Sequence, residues 1–317
     1  MPRVAAIDCG TNSIRLLVAD TVDAGGNTKL VDVHRENRIV RLGRGVDATG
    51  VLDLEAIERT RVALADYTAI LRDAGTEKVR MVATSATRDA ANREDFFGMV
   101  RDTLGAEAEV ISGDTEARLS FTGAVGDLSP SDGPFVVVDV GGGSTEVVIG
   151  SRGENGEVDV HAARSVDVGC VRITERCLRS DPPTADERQA AREMAQGILA
   201  EAFEHVPVEK AQTWVGVAGT VTTLSAVALN LPEYDAEKIH LSRLALPELH
   251  RVADELLSLD REGRMGFGAM HPGRVDVIGG GALIVALLAD ELAKRAGITE
   301  LVVSEHDILD GIALSVL

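Results

Sequence analysis

Aromatic side chains are nearly missing from this chain: Phe, Tyr and Trp together make up 3% of 317 residues. Hydrophobic residues still reach 45%, so the interior must be built from Val, Leu, Ile and Ala. That mix belongs to a folded globular protein and excludes a disordered one. Cysteine is also sparse, with Cys9, Cys170 and Cys177 at unrelated spacings. An odd number without a repeat argues against a disulfide framework or a zinc site and fits a reducing cytoplasm. The longest apolar run, "GGGALIVALLA", stops at Asp290, short of the roughly 18 residues a membrane span needs. The opening "MPRVAAIDCG" reads as the start of a strand, with no signal peptide ahead of it. Basic residues are outnumbered by acids, 32 to 51, for a formal net charge of −19. Such a surplus repels polyanions, so no nucleic-acid partner is expected. Arg35, Arg38, Arg41 and Arg44 recur at every third residue, either as a solvated strand edge or as a patch that guides an anion.

What is present is an alternation of strands and helices long enough for two domains. Strands are expected at 4–8, 14–20, 29–38, 78–83 and 108–112, with helices at 54–74 and 93–104 and another starting after Ser112. The stretch "GDLSPSDGP", residues 126–134, has turn chemistry and reads as a linker. After it the pattern restarts. "AAIDCGTNSIRLLVAD" and "VVVDVGGGSTEVVIGS" share one design: apolar strand, Asp, Gly, turn, Ser, second apolar strand. Asp8 aligns with Asp139, Gly10 with Gly141, Ser13 with Ser144 and Arg15 with Glu146. Two such hairpins about 130 residues apart, each opening an α/β half, predict a duplicated domain facing itself across a cleft.

The second hairpin is suited to phosphate. Gly141, Gly142 and Gly143 let backbone N–H groups converge on an anion, and Ser144 and Thr145 add hydroxyl donors. Asp139 with Glu146 on the return strand makes an oxygen-rich site for Mg²⁺. "VGVAGTVTTL" places Gly219 and Thr220 at a strand-to-helix junction, a third anion contact or simply a threonine-capped helix. The glycines of "VIGGGALIV" carry no hydroxyl or carboxylate and read as close helix packing. In "ISGDTEARLSF" Asp114 and Glu116 are first-turn acids favoured by the helix dipole, or Glu116 is a base facing the cleft. Arg88 and Arg93 in "TSATRDAANRED" are phosphate clamps or part of a charged loop. His306, between Glu305 and Asp307, reads as a capped first helical turn rather than a metal cluster.

Together the segments "AIDCGTNSIRLLVAD", "ATSATRDAAN", "ISGDTEARLSFTGA", "VVDVGGGSTEVVIG", "SVDVGCVRITERCL", "GVAGTVTTLSA" and "RVDVIGGGALI" resemble the exopolyphosphatase/guanosine pentaphosphate phosphohydrolase family, in its order and over nearly the whole chain. The resemblance implies an α/β fold of duplicated ribonuclease-H-like domains in the actin-like ATPase superfold. One domain is expected at 1–125 plus 304–317, the other at 126–303. It implies phosphoanhydride hydrolysis at a chain end with Mg²⁺ or Mn²⁺. Glu116 then matches the base that activates water, while Asp139 and Glu146, with Asp8 opposite, match the metal carboxylates. Thr11, Asn12 and Ser13 together with Gly141–Thr145 would cradle phosphates. Thr115 stands where the family usually has the first Glu of a Glu-Glu-Ala-Arg run. Longer members append an HD-type domain and a further C-terminal domain, so a preference for short chains is expected here.

Inorganic polyphosphate is the first substrate this implies and guanosine penta- or tetraphosphate the second, with neither nucleic acid nor membrane as a partner and a homodimer as the expected assembly. A (p)ppGpp sensor without turnover would not need Glu116, Asp139 and Glu146 together. An actin-fold sugar kinase would need a sugar-binding segment with an Asp base, which is missing.

Overall fold

The computed structural model describes residues 2–23 and 28–317. Residue 1 and residues 24–27, inside the first expected domain, lie outside the described residues. The chain runs β1 (Arg3–Cys9), β2 (Ser13–Asp23), β3 (Thr28–Ile39), α1 (Val46–Thr49), α2 (Leu54–Asp73), β4 (Lys78–Ala83), α3 (Ser85–Asp89), α4 (Arg93–Leu104), β5 (Ala108–Val110) and α5 (Gly113–Ala124). It continues as β6 (Phe135–Val140), β7 (Thr145–Arg152), β8 (Val158–Val166), α6 (Cys170–Cys177), α7 (Ala185–His205), β9 (Thr213–Val217), α8 (Ala218–Ala228) and α9 (Ala236–Ile239). The last elements are β10 (Arg243–Ala245), α10 (Leu246–Ser258), α11 (Arg261–Met265), α12 (Ile278–Ala296), β11 (Glu300–Val303) and α13 (Ile308–Leu314).

The strands form two sheets, ordered β3-β2-β1-β4-β5 and β10-β11-β9-β6-β7-β8. Each begins with an antiparallel meander and continues with parallel strands: β4 and β5 in the first, β9 and β11 in the second. The expected duplication is therefore visible as topology, with β10 an addition to the second sheet. β5 ends earlier than residue 112 because Ser112 turns aside to cap α5, its hydroxyl accepting from the Thr115 amide.

Both sheets are covered on both faces, which explains why β1 and β6 read as continuous apolar runs. In β1, Ala5, Ile7 and Cys9 face the side of α2, while Val4 and Ala6 pack with Ile308, Leu309 and Ile312 of α13. In β6, Val136, Val138 and Val140 join the large core of α7, α10 and α12. Phe135 and Val137 meet Ala117, Phe121 and Ala124 of α5. By the two-residue period of a strand, Asp8 continues the Val4–Ala6 face and Asp139 the Phe135–Val137 face. Both carboxylates thus point to the side occupied by α13 and α5.

Those two helices cross between the sheets. α5 follows the first sheet in sequence but packs on the second, and α13 follows the second but packs on the first. Their backbones meet at two glycines. A Cβ on Gly123 would lie 1.8 Å from the Asp307 carbonyl oxygen, and one on Gly311 would lie 2.0 Å from that of Leu119. No larger residue fits without pushing the helices apart.

Gly123→Ala is therefore expected to destabilise the protein by about 1–3 kcal/mol through overpacking. Gly197→Ala, at a helical glycine with open space around it, is expected to stabilise it by ~0.5–1 kcal/mol. Urea midpoints of the two variants check this, and a midpoint for Gly123→Ala at or above the parent's would contradict the close crossing.

Candidate active site

The two hairpins are built alike at atomic detail. Asp8 pairs with Arg15 across β1 and β2, and Asp139 pairs with Glu146 across β6 and β7. In the turns, the Gly10 amide donates to the Ser13 carbonyl and the Gly141 amide to that of Ser144. The tips touch: a Cβ on Gly142 would lie 2.8 Å from Thr11 Cβ, and one on Gly143 2.6 Å from Ser85 Oγ. Glycine is required here because the opposing hairpin leaves no room for a side chain. Between the hairpins lies a cleft of about 90 Å³, lined by Asp8, Thr11, Asn12, Ser13, Glu116, Asp139, Gly141, Gly142, Ser144, Gly219 and Thr220.

The orientation of the glycine turn has a local cause. Its carbonyls are taken up by the first turn of α6: Cys170 N–H donates to the Gly141 oxygen, and Val171 and Arg172 N–H to the Gly142 oxygen. Arg172 Nε donates to the Gly143 oxygen at 2.9 Å. The Gly141 amide closes the turn on the Ser144 carbonyl, while among the described residues the Gly142 and Gly143 amides have no backbone acceptor and are left for an anion.

Four buried carboxylates converge: Asp8, Glu116, Asp139 and Glu146 are all less than 9% exposed. Burial and the charge of Glu146 push Glu116 well above the usual carboxylate range, against the pull of Arg88. Burial and neighbouring acids, Asp307 first, push Asp139 up to about 6, and burial with Asp139 pushes Glu146 up to about 8. Burial raises Asp8 as well, although Arg15 opposes it. Serines orient two of the acids: Ser120 donates to Asp139 Oδ2 at 2.7 Å and Ser165 to Glu146 Oε1 at 2.8 Å. Asp8 Oδ2 takes two donations from Arg15, while Asp8 Oδ1 is buried with no hydrogen-bond partner. An orphaned, buried anionic oxygen on the cleft wall is a fit for a hard divalent cation.

Several expected contacts move or drop out. Arg93 opens α4 at the solvent surface, away from the cleft lining. Thr145 is buried and spends its hydroxyl on the Val168 carbonyl at 2.6 Å. Gly143 and Glu146 lie behind the lining rather than in it. Arg88 reaches the cleft only through Glu116 Oε2, at 3.2 Å. Of Arg35, Arg38, Arg41 and Arg44, only Arg44 is exposed without an ion pair among the described residues, so they form no free patch. Arg35 is paired with Asp32 and Asp310, Arg38 with Glu36 and Asp66, and Arg41 with Asp276. Their acids come from β3 itself and from elements distant in sequence, which an every-third-residue count cannot show. His306 pairs with Asp127 at 2.7 Å beside His240, and Asp307 caps α13.

The structure also adds residues that sequence reasoning passed over. Arg15 lines the cleft and is shared between Asp8 and Asp307; its signal was its place opposite Asp8. Arg274 lies over Gly219, where a Cβ would fall 2.2 Å from its Cζ, and donates to the Gly219 carbonyl. Burial depresses its basicity, and among the described residues no carboxylate lies within ion-pairing distance of it. Ala218 beside it holds a left-handed φ of 68°, local strain of the kind that persists at functional turns. Arg15, Gly219 and Arg274 also border a second cavity of about 610 Å³.

Comparison with known proteins agrees with this geometry. The model of the Ppx/GppA phosphatase family matches residues 18–316. The chain is 58% identical to Exopolyphosphatase 2 of Mycobacterium tuberculosis over 99% of its own length and 98% of the relative's. It is 34% identical to a guanosine-5'-triphosphate,3'-diphosphate pyrophosphatase of Photobacterium profundum, over 83% of this chain and 50% of that one. Among solved structures, an exopolyphosphatase-like protein superposes with a TM-score of 0.92 at 41% identity, covering 99% of this chain and 98% of the other.

The acid cluster has a measurable consequence. Asp139 and Glu146 hold protons more tightly folded than unfolded, where their ordinary values are 3.8 and 4.5. The stability they contribute is full below pH ~4 and is lost as the pH rises through ~6 to ~8. The melting temperature of chelator-treated protein is expected to fall over that window, with a flatter slope in Glu146→Gln. A slope unchanged by that substitution would count against the coupled cluster.

Proposed function

Because the chain belongs to the Ppx/GppA phosphatase family, we propose that it is an exopolyphosphatase, hydrolysing the terminal phosphoanhydride of inorganic polyphosphate to release orthophosphate. The observation that carries this reading is the convergence of Glu116, Asp8 and Asp139 on a cleft whose walls are two glycine-containing turns. The cleft is too acidic to attract a polyanion by itself. Asp8, Glu116, Asp139, Glu146 and Asp307 outnumber Arg15, Arg88 and Arg274, and the raised proton affinities of Glu116, Asp139 and Glu146 reflect that shortage of positive charge as well as burial. A divalent cation, Mg²⁺ or Mn²⁺, held by Asp8 and Asp139 with Glu146 behind them, would supply the missing positive charge and polarise the phosphoryl oxygens.

The chain's own residues do the rest. The Gly141–Ser144 and Thr11–Ser13 turns bind phosphate oxygens through N–H and hydroxyl groups, and Thr220 adds a third contact at the head of α8. Arg274, a half-buried cation with no carboxylate in ion-pairing distance among the described residues, is placed to take a phosphate oxygen. Glu116 accepts the proton of the attacking water at a carboxylate oxygen. Its burial raises its proton affinity, which suits a base, while Arg88 keeps the charged form attainable. Positioning and charge neutralisation supply most of the rate, as in phosphoryl transfer generally.

A second reading, hydrolysis of guanosine pentaphosphate, is favoured by one observation. The larger cavity continues from the cleft past Arg274 and has apolar walls at Ala269, Met270, Pro272 and Leu309, suited to a group other than phosphate. Phosphate release measured side by side on short polyphosphate, long polyphosphate and pppGpp separates the two.

Glu116→Gln is expected to lower kcat by ~10³-fold or more while leaving tripolyphosphate binding within a factor of ~3. Arg93→Ala is expected to change neither. Normal turnover in Glu116→Gln would remove it as the base.

A further inference from the structure

Helix α6 does two things at once. Its first-turn amides hold the carbonyls of Gly141 and Gly142, and Gly169 before it packs so tightly on Gly142 that a Cβ would lie 2.5 Å from that residue's carbonyl oxygen. Its side chains reach across to the first sheet's half. One guanidinium joins both tasks. Arg172 donates from Nε to the Gly143 carbonyl, from Nη1 to Asp47 Oδ1 at 2.8 Å and from Nη2 to Asp89 Oδ2 at 2.6 Å. Asp47 belongs to α1 and Asp89 to α3, so two of the three partners come from the opposite side of the cleft.

The neighbours on α6 reinforce the grip. Arg176 takes both oxygens of Asp47 at 2.6 Å, and Glu175 accepts from the Gly45 amide at 3.2 Å. The Arg172 side chain is 12% exposed and that of Asp47 16%, so their pair is shielded, while Asp89 and Arg176 reach it from the solvent side; planar forks hold the geometry. On the far side, α3 carries three links in five residues. Ser85 meets Thr11 at 2.7 Å, Arg88 holds Glu116, and Asp89 holds Arg172.

We propose that α6 is a clasp across the cleft, and that Arg172 is a positioning residue that ties closure of the two halves to the shape of the phosphate turn. The grip on phosphate is complete only when Asp47 and Asp89 engage Arg172; when they part, the Gly143 peptide loses its anchor and the packing of Thr11 and Ser85 on Gly142 and Gly143 opens with it. This rests on the reading of the Gly141–Ser144 turn as a phosphate grip.

The test uses the full chain with Asp47→Asn and Asp89→Asn combined. These are surface-side carboxamides of the same shape, which leave Arg172 and the turn in place. Arg172→Lys serves as the conservative comparison and Arg172→Ala as the severe one. Affinity for sodium tripolyphosphate is measured by calorimetry in a Glu116→Gln background, KM and kcat in the active background, and the radius of gyration by small-angle scattering without ligand. The double Asn variant is expected to bind tripolyphosphate ~10-fold more weakly, with KM raised alike and kcat within ~3-fold of the parent. Its scattering radius should exceed the parent's without ligand. The gap in affinity should narrow at high salt, where the parent's clasp is itself screened. Arg172→Lys should fall between the parent and Arg172→Ala, since an ammonium keeps the charge but not the fork. Unchanged affinity and radius in the double variant would overturn the clasp, as would a fall in kcat with KM unmoved. If the parent itself failed to bind tripolyphosphate, the reading of the cleft would fall, while the scattering comparison would still decide the clasp.

Discussion

Four carboxylates held out of water within electrostatic reach of one another are the constraint around which this molecule is arranged. Burial disfavours each charged form and the neighbouring acids add repulsion that a low dielectric strengthens, so Glu116, Asp139 and Glu146 all hold protons above their ordinary range. Each acid is therefore tied down by something specific: Asp8 by Arg15, Glu116 by Arg88, Asp139 by Ser120 and Glu146 by Ser165. These tethers cannot neutralise the cluster, and that deficit is what suits it to a cation-bearing polyphosphate. The same deficit reconciles a net charge of −19 with an anionic substrate.

Bringing those acids together depends on an exchange of helices. Asp8 and Asp139 come from separate sheets, Glu116 from α5 and Asp307 from α13. They meet because α5 lies on the second sheet, α13 lies on the first, and both cross where Gly123 and Gly311 allow backbone to touch backbone. The crossing sets the spacing of the two strands' ends, and so the width of the cleft. The glycine turn is aimed in a similar way: α6 occupies its carbonyls, and among the described residues the Gly142 and Gly143 amides are left without a backbone acceptor.

Much of the fold was legible because it repeats. β4 and α4 lie where the apolar pattern put them, at 78–83 and 93–104, and the two hairpins align residue for residue in register as well as in sequence. Local chemistry was legible for the same reason: a hairpin's cross-strand pair, such as Asp139 with Glu146, is separated by only a few residues. The failures share the opposite property. Thr145 is spoken for by Val168, Arg35 by Asp310 and Arg41 by Asp276, partners 23, 275 and 235 positions away. Arg93 had the right charge in the right motif, but its helix starts at the surface.

From its own order of residues this chain determines two α/β halves, a glycine-containing hairpin turn in each, the acids Asp8, Glu116 and Asp139, and the absence of an apolar run long enough to span a membrane. Strand alternation and turn chemistry act over a few residues, so they can be read directly. Which of those groups share a site was decided only in three dimensions: that Arg274 and Arg15 join the cleft, that the arginines of β3 are neutralised, and that Arg172 spans both halves. The reason is physical. Charge pairing and burial depend on distance through the folded interior, and the crossing of α5 and α13 creates distances that sequence separation does not contain.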